Sequence, residues 1–143
     1  MMVLITRSVE ETRAAGAALA VRARQGDIYA LEGELGAGKT EFVRGFVFAL
    51  AGVTSVRSPT FSIVNTYLTS SFPIYHFDFY RLNDPGELDE IGFQEYVSGD
   101  GVCLIEWGTM FPDVLPRNTQ IIRITVEAET VRRIENYETR IKN

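Results

Sequence analysis

Residues 33–40 read Gly-Glu-Leu-Gly-Ala-Gly-Lys-Thr, the spacing G-x-x-x-x-G-K-[ST] of a phosphate-binding loop. No other feature restricts the fold as strongly, because such a loop belongs between a buried strand and the helix that follows it. Both flanks are present. Residues 27–32 form a short apolar run suited to a buried strand, and residues 41–50 read as a helix despite Gly45. Each fixed position has a chemical reason. The glycines let the backbone curl until successive N–H groups point at phosphate oxygens. Lys39 reaches the β- and γ-phosphates as a point charge, and the Thr40 hydroxyl can enter the shell of Mg²⁺. The helix N-terminus faces the anion. At average residue frequencies the four fixed positions match by chance in roughly half a percent of chains this long. The nucleotide-contacting run is therefore Gly33, Glu34, Leu35, Gly36, Ala37, Gly38, Lys39, Thr40 and Glu41.

The chain has 143 residues, which the length prior reads as one domain over residues 1–143. That is enough to bury about 68–70% of the unfolded surface. The net charge of −5 disfavours strong autonomous nucleic-acid binding, which leans on clustered cations, and argues against a DNA partner. Basic residues are nearly all arginine. The only lysines are Lys39 and Lys142, a minor support for a chemical need at position 39. A single cysteine, Cys103, excludes an intrachain disulfide, and with one histidine it leaves no Cys/His zinc site. Cys103 lies in the apolar run 101–105 and reads as a small core residue. No run approaches the ~20 apolar residues that span a bilayer, and the N-terminus lacks a signal-peptide layout, so the expected compartment is the cytoplasm.

Along the chain, residues 3–6 suggest a short strand. Ser8 and Glu11 form a capping box before an alanine-rich helix that should run to about Arg24. Gly52 is the expected cap of the helix after the phosphate loop. Residues 60–67 and 72–80 are rich in β-formers, and the four residues between them are short enough for an antiparallel hairpin. Residues 84–91 open with Pro85 at a helix N1 position, and a second short helix covers residues 93–97. Residues 101–107 form an apolar strand, and residues 120–127 and 131–137 a closing antiparallel pair. There is no internal repeat, low-complexity tract or linker. The fold class is α/β: a mixed, mostly parallel sheet with an antiparallel hairpin, flanked by helices in the manner of a P-loop NTPase. Strand order is not readable.

A phosphate loop needs an acid for Mg²⁺ near Thr40, usually at the end of a neighbouring strand. Two qualify. Glu106 ends the run Val102-Cys103-Leu104-Ile105, the pattern of a Walker B strand, and Asp78 sits in His76-Phe77-Asp78-Phe79-Tyr80-Arg81. Either could instead be a solvated strand-end carboxylate. Ser58-Pro59-Thr60-Phe61 is a turn by itself, yet a threonine there could respond to a γ-phosphate. His76 is the only histidine, Arg57 and Arg81 are candidate phosphate clamps, and Trp107 reads by itself as a packing residue.

Together these pieces resemble the TsaE (YjeE) family of bacterial P-loop ATPases. The matching elements, in order, are the loop 33–40, Ser58-Pro59-Thr60-Phe61, Tyr75-His76-Phe77-Asp78-Phe79-Tyr80-Arg81-Leu82, Glu87-Leu88-Asp89-Glu90-Ile91-Gly92 and Ile105-Glu106-Trp107. The loop is shared by many families; the later blocks in this order are far more specific. The resemblance runs to about Trp107, and the chain after Gly108 matches no motif. It implies ATP binding and hydrolysis with Mg²⁺ in support of the threonylcarbamoyl-adenosine modification of tRNA. The implied partners are a protein pair of the TsaB and TsaD type, with tRNA engaged only indirectly and no membrane. Lys39, Thr60, Asp78 and Glu106 would be catalytic, with Thr40, Asp78 and Glu106 around the metal. Ser58, His76, Arg81 and Trp107 would support them. Glu41 stands where a small or neutral residue is expected, and it brings a negative charge close to bound phosphate. The alternative activity is a stand-alone small-molecule kinase, although no arginine-rich lid is visible. A GTPase lacks its Asn-Lys-x-Asp element here, and a vestigial phosphate loop is the blandest reading.

Overall fold

The structure is a computed structural model that describes residues 2–59 and 63–138. Its elements are β1 (Met2–Thr6), α1 (Val9–Arg22), β2 (Ile28–Glu32), α2 (Lys39–Ala51), β3 (Val64–Tyr67), β4 (Ile74–Asp78), α3 (Gly86–Glu90), α4 (Phe93–Val97), β5 (Val102–Glu106), β6 (Thr119–Ala128) and β7 (Val131–Glu138). Among the described residues, seven strands make one sheet in the order β1-β7-β6-β2-β5-β4-β3. The centre is parallel, with β6, β2, β5 and β4 side by side. Both margins are antiparallel: the expected hairpin β3–β4 on one side, and β6–β7 with β1 on the other.

Central parallel strands are covered on both faces, and their side chains divide between two cores by the strand period of two. On β2, Tyr29 and Leu31 face the core under α1 and α2, while Ile28 and Ala30 face the core under α3 and α4. On β5, Val102 and Leu104 take the first side, and Cys103 and Ile105 the second. Cys103 is fully buried, and burial pushes its thiol up to about 12, as an inert core residue requires. The same alternation carries His76 and Asp78 of β4, and Glu106 of β5, to the α2 side of the sheet.

Local signals act as the sequence suggests, with small displacements. The Ser8 hydroxyl accepts from the Glu11 N–H, while the Glu11 carboxylate accepts from the Arg7 N–H, one residue earlier than the ideal box. α1 stops at Arg22, two residues short of expectation. Pro85 is the N-cap of α3, one position before its expected place. α2 starts at Lys39, so the last two motif residues already form its first turn, and it ends on Gly52 as expected.

Gly45 is explained by packing. α1 crosses α2 so closely that a Cβ at Gly45 would lie 1.8 Å from the Arg13 carbonyl oxygen, and one at Gly16 would lie 2.0 Å from the Phe42 carbonyl oxygen. The backbones touch where side chains would normally hold helices apart by 8–10 Å between axes. Gly45→Ala should therefore lower stability by about 3 kcal/mol, because overpacking outweighs the ~1 kcal/mol gained in helix propensity. Chemical denaturation checks this; a stabilised Gly45→Ala variant would refute the crossing.

Candidate functional site

The carboxyl ends of the parallel strands lie along one edge of the sheet, the usual place for a ligand in an open α/β fold. β2 runs directly into the loop 33–38. Its neighbour β5 ends at Glu106, and β4 ends at Asp78, which pairs with Glu106 in register. Gly36 (φ 78°) and Gly38 (φ 111°) take left-handed conformations that shape the loop. The N-terminus of α2 enters the same place. The resulting cleft has a volume of about 440 Å³ and is lined by Gly38, Lys39, Thr40, Asp78, Glu106 and Trp107, among others.

Glu106 is the centre of the polar contacts. Its carboxyl is almost completely buried and accepts three groups. Thr40 Oγ1 donates to Oε1 at 3.0 Å, Ser58 Oγ donates to Oε2 at 3.3 Å, and His76 Nε2 donates to Oε2 at 2.6 Å. Burial pushes the Glu106 carboxyl up, but the His76 bond and charge, with the two hydroxyls, outweigh it and hold the group below the ordinary carboxylate range. Donation from Nε2 leaves His76 Nδ1 buried with no hydrogen-bond partner among the described residues.

Lys39 lies across the cleft. Its Nζ donates to the Gly33 and Glu34 carbonyls at 2.6 and 2.8 Å and sits 4.2 Å from the centroid of the Trp107 ring. Burial lowers its pKa, against the pull of Glu106 and Asp78. Trp107 is the one non-glycine residue with positive φ among those described (φ 59°), and its ring packs on Tyr80 with centroids 4.8 Å apart. Burial raises the Asp78 carboxyl, partly offset by the Tyr80 N–H bonded to Oδ1. Its Oδ2 lies 3.8 Å from Arg81 Nε, and Arg81 also lines the cleft.

The expected residues thus converge, with three qualifications. Thr60 lies outside the described residues. Arg57 lines a different groove, between α1, α2 and residues 53–57, and does not clamp the phosphate cleft. Glu41, whose charge beside phosphate stood out in the sequence, is bracketed by Arg13 Nε at 2.8 Å and Arg44 Nη1 at 2.7 Å. Its charge is compensated within the protein. Sequence reasoning missed Arg132 of β7, which reaches back to the phosphate loop. Only a long-range contact marks it, and no local pattern could have signalled it.

The oxygen donors fit Mg²⁺. A hydroxyl and a carboxylate lie 3.0 Å apart at the helix N-terminus, and Asp78 stands beside them. Mg²⁺ is commonly held by one or two protein oxygens together with substrate phosphates and water. Among the described residues there is no cluster of three His, Cys, Asp or Glu side chains of the kind an all-protein metal cage needs.

Comparison with known proteins gives a consistent result. The family model described as "Threonylcarbamoyl adenosine biosynthesis protein TsaE" matches residues 6–134. A Bacillus subtilis protein named as the tRNA threonylcarbamoyladenosine biosynthesis protein TsaE is 44% identical over 112 residues, 78% of this chain and 70% of its own length. A Treponema pallidum protein of the same name is 37% identical over 130 residues, 91% of this chain and 96% of its own length. The crystal structure of Bacillus subtilis YdiB superposes with a TM-score of 0.80 at 35% identity, covering 98% of this chain and 86% of that one.

The depressed Glu106 carboxyl has a consequence for stability. A folded-state value below the unfolded one stabilises the protein above the ordinary value of about 4.3 and loses that contribution as pH falls through the depressed value. Asp78, raised by burial, acts with the opposite sign. Glu106→Gln should cost about 1–3 kcal/mol at pH 7, with the gap to wild type closing toward pH 3. Urea denaturation at pH 7, 5 and 3 measures it; a gap that does not change with pH would show that the charged carboxylate is not the stabilised form.

Proposed function

The chain belongs to the TsaE family, and on that premise we propose that it is an ATP-binding and ATP-hydrolysing subunit supporting the threonylcarbamoyl-adenosine modification of tRNA. We propose further that it acts with a protein pair of the TsaB and TsaD type. Such work on tRNA implies the cytoplasm. Among the described residues no helix is long and apolar enough to cross a membrane. The observation that best supports the ATPase reading is the meeting of Lys39, Thr40, Glu106 and Asp78 in one cleft at the N-terminus of α2. Four charged or hydroxyl groups at the mouth of a phosphate loop suit charge neutralisation of a γ-phosphoryl group.

The residues divide the work by their surroundings. Lys39 meets the β- and γ-phosphates, exchanging its bonds to the Gly33 and Glu34 carbonyls for bonds to phosphate oxygens. Thr40 Oγ1 and Glu106 would hold Mg²⁺ directly or through its waters. The ion, when bound, supplies Lewis-acid neutralisation of the phosphate oxygens. Glu106 accepts from Thr40, Ser58 and His76, which fix its orientation and leave acceptor capacity for a metal or its water, as suits a fixed anchor. Asp78 has one oxygen bonded to a backbone N–H and the other 3.8 Å from Arg81, and its raised pKa suits a proton acceptor. Attack of water on the γ-phosphorus forms the new P–O bond and breaks the bond to the β–γ bridging oxygen. The proton lost by water passes to Asp78, and ADP leaves with the electron pair of the broken bond. Ser58 and Trp107 border the same space.

The test is phosphate release from ATP by the purified protein, alone and with a TsaB–TsaD-type pair and tRNA. Slow release alone, clear stimulation by the pair and a loss of at least about a hundredfold in Lys39→Ala is the expected result. Asp78→Asn should lose turnover while retaining ATP affinity. Undiminished hydrolysis in Lys39→Ala would reject the site. Absence of stimulation with demonstrably active partners would reject the coupling and favour transfer to a small acceptor.

A further inference from the structure

The family model extends past Gly108 to residue 134, and in that stretch β6 and β7 touch the end of β2 and the phosphate loop at three points. At the end of β2, Glu32 forms an ion pair with Arg123 of β6, its neighbour in register. The next residue, Gly33, lies so close to β6 that a Cβ there would come within 2.5 Å of the Ile124 carbonyl oxygen. Farther along the loop, Arg132 of β7 donates from Nε to the Ala37 carbonyl at 2.8 Å and from Nη2 to the Gly36 carbonyl at 3.5 Å. The remaining guanidinium nitrogen, Nη1, donates to the Ala128, Glu129 and Val131 carbonyls at 3.0, 3.1 and 3.2 Å. One planar fork therefore joins the turn of the β6–β7 hairpin to the tip of the phosphate loop.

We propose that Arg132 is a positioning residue that fixes the peptide planes of the phosphate loop from outside, so that the loop meets phosphate preorganised. The inference rests on the nucleotide-binding reading above. In a trans peptide the carbonyl and the following N–H point in opposite directions. Arg132 holds the Ala37 carbonyl, so the N–H of Gly38, in the same peptide plane, is turned away from the guanidinium, and Gly38 itself lines the cleft. Gly38 sits at φ 111° and Gly36 at φ 78°, in a backbone that glycine leaves free to rotate. A loop this permissive loses conformational entropy when it closes on phosphate, and an external clamp on its carbonyls removes part of that cost in advance. A planar guanidinium suits the task because one rigid group bonds several carbonyls, whereas a lysine ammonium is a point charge on a flexible stem.

Full-length Arg132→Met, Arg132→Lys and Val131→Ala test this. Three measurements are needed: amide hydrogen exchange over residues 33–40, ADP affinity followed by the emission of Trp107 (the chain's single tryptophan), and thermal stability. Arg132→Met should exchange about tenfold faster in the loop and bind ADP about tenfold more weakly, the scale of a lost charged hydrogen bond. Arg132→Lys should recover part of both. Val131→Ala loosens the hairpin but keeps the arginine, so it should lower stability with loop exchange and ADP affinity unchanged. Unaltered exchange and affinity in Arg132→Met would overturn the proposal. Equal weakening in Val131→Ala would also overturn it, by showing that the arginine serves only the hairpin. If Arg132→Met does not fold, the comparison with Arg132→Lys decides. A wild-type protein that binds no ADP would defeat the nucleotide reading, while loop exchange would still report whether the clamp exists.

Discussion

A carboxylate withdrawn from water costs several kcal/mol unless it is bonded on nearly every side. Glu106 is 3% exposed, and the polar arrangement around it answers that requirement. Its partners come from the first turn of α2, from the segment after α2 and from β4, at sequence separations of 66, 48 and 30 residues. None of these partners is local. The carboxylate therefore ties together the helix that carries the phosphate loop, the segment leading toward Thr60 and the strand that ends in Asp78. Any rearrangement that frees one of these segments must leave buried charge or a buried hydroxyl less well bonded. The positions of the three segments are therefore energetically linked through one carboxylate.

Costs gather at this place. Burial lowers the pKa of Lys39 and raises that of Asp78, so the folded state disfavours the charged form of each. Trp107 adopts a left-handed backbone that a bulky side chain rarely takes, and His76 keeps a buried ring nitrogen without a partner among the described residues. Backbone strain and unmet polar groups persist only where surrounding structure over-determines them. Here the surroundings are the two cores on either side of β5, whose residues 102–105 are fully buried on both faces. The rigid centre of the sheet supports an unfavourable arrangement at its carboxyl edge.

The sequence made most elements legible because their signals are local. Ser8 with Glu11 marks a helix start, Gly52 a helix end, and the short link between β3 and β4 a hairpin. Lys39, Thr40, Asp78 and Glu106 could be grouped from the sequence because a phosphate-loop motif calls for an acid at a strand end, and the structure brings the four to one cleft. Strand order was not legible: β5 lies between β2 and β4 although β2 and β4 come earlier in the chain, and only tertiary packing decides that. Gly45 read as a flaw in a helix because its reason, the carbonyl of Arg13, belongs to another helix. Arg132 read as one arginine among many, since its bonds cross 95 residues to the loop. What failed to show was in each case a contact between distant segments.

Glu41 illustrates how the same helix can serve two demands. An acid next to Thr40 places negative charge beside a phosphate site, which by itself opposes anion binding. Its carboxylate oxygens are instead held by Arg13 of α1 and Arg44 one turn along α2. Partly exposed ion pairs of this kind contribute about 1 kcal/mol or less each, too little to explain the residue as a source of stability. Their geometric effect is larger. Arg13 also supplies the carbonyl against which Gly45 packs, and Arg44 Nε donates to the Val56 carbonyl in the segment that leads to Ser58. Glu41 therefore links the first turn of α2 to α1 on one side and, through Arg44, to the Ser58 segment on the other. Replacement by a neutral residue would remove the negative charge beside the loop but release both links, so the acid is better understood as a joint in the frame of the site than as a departure from the motif.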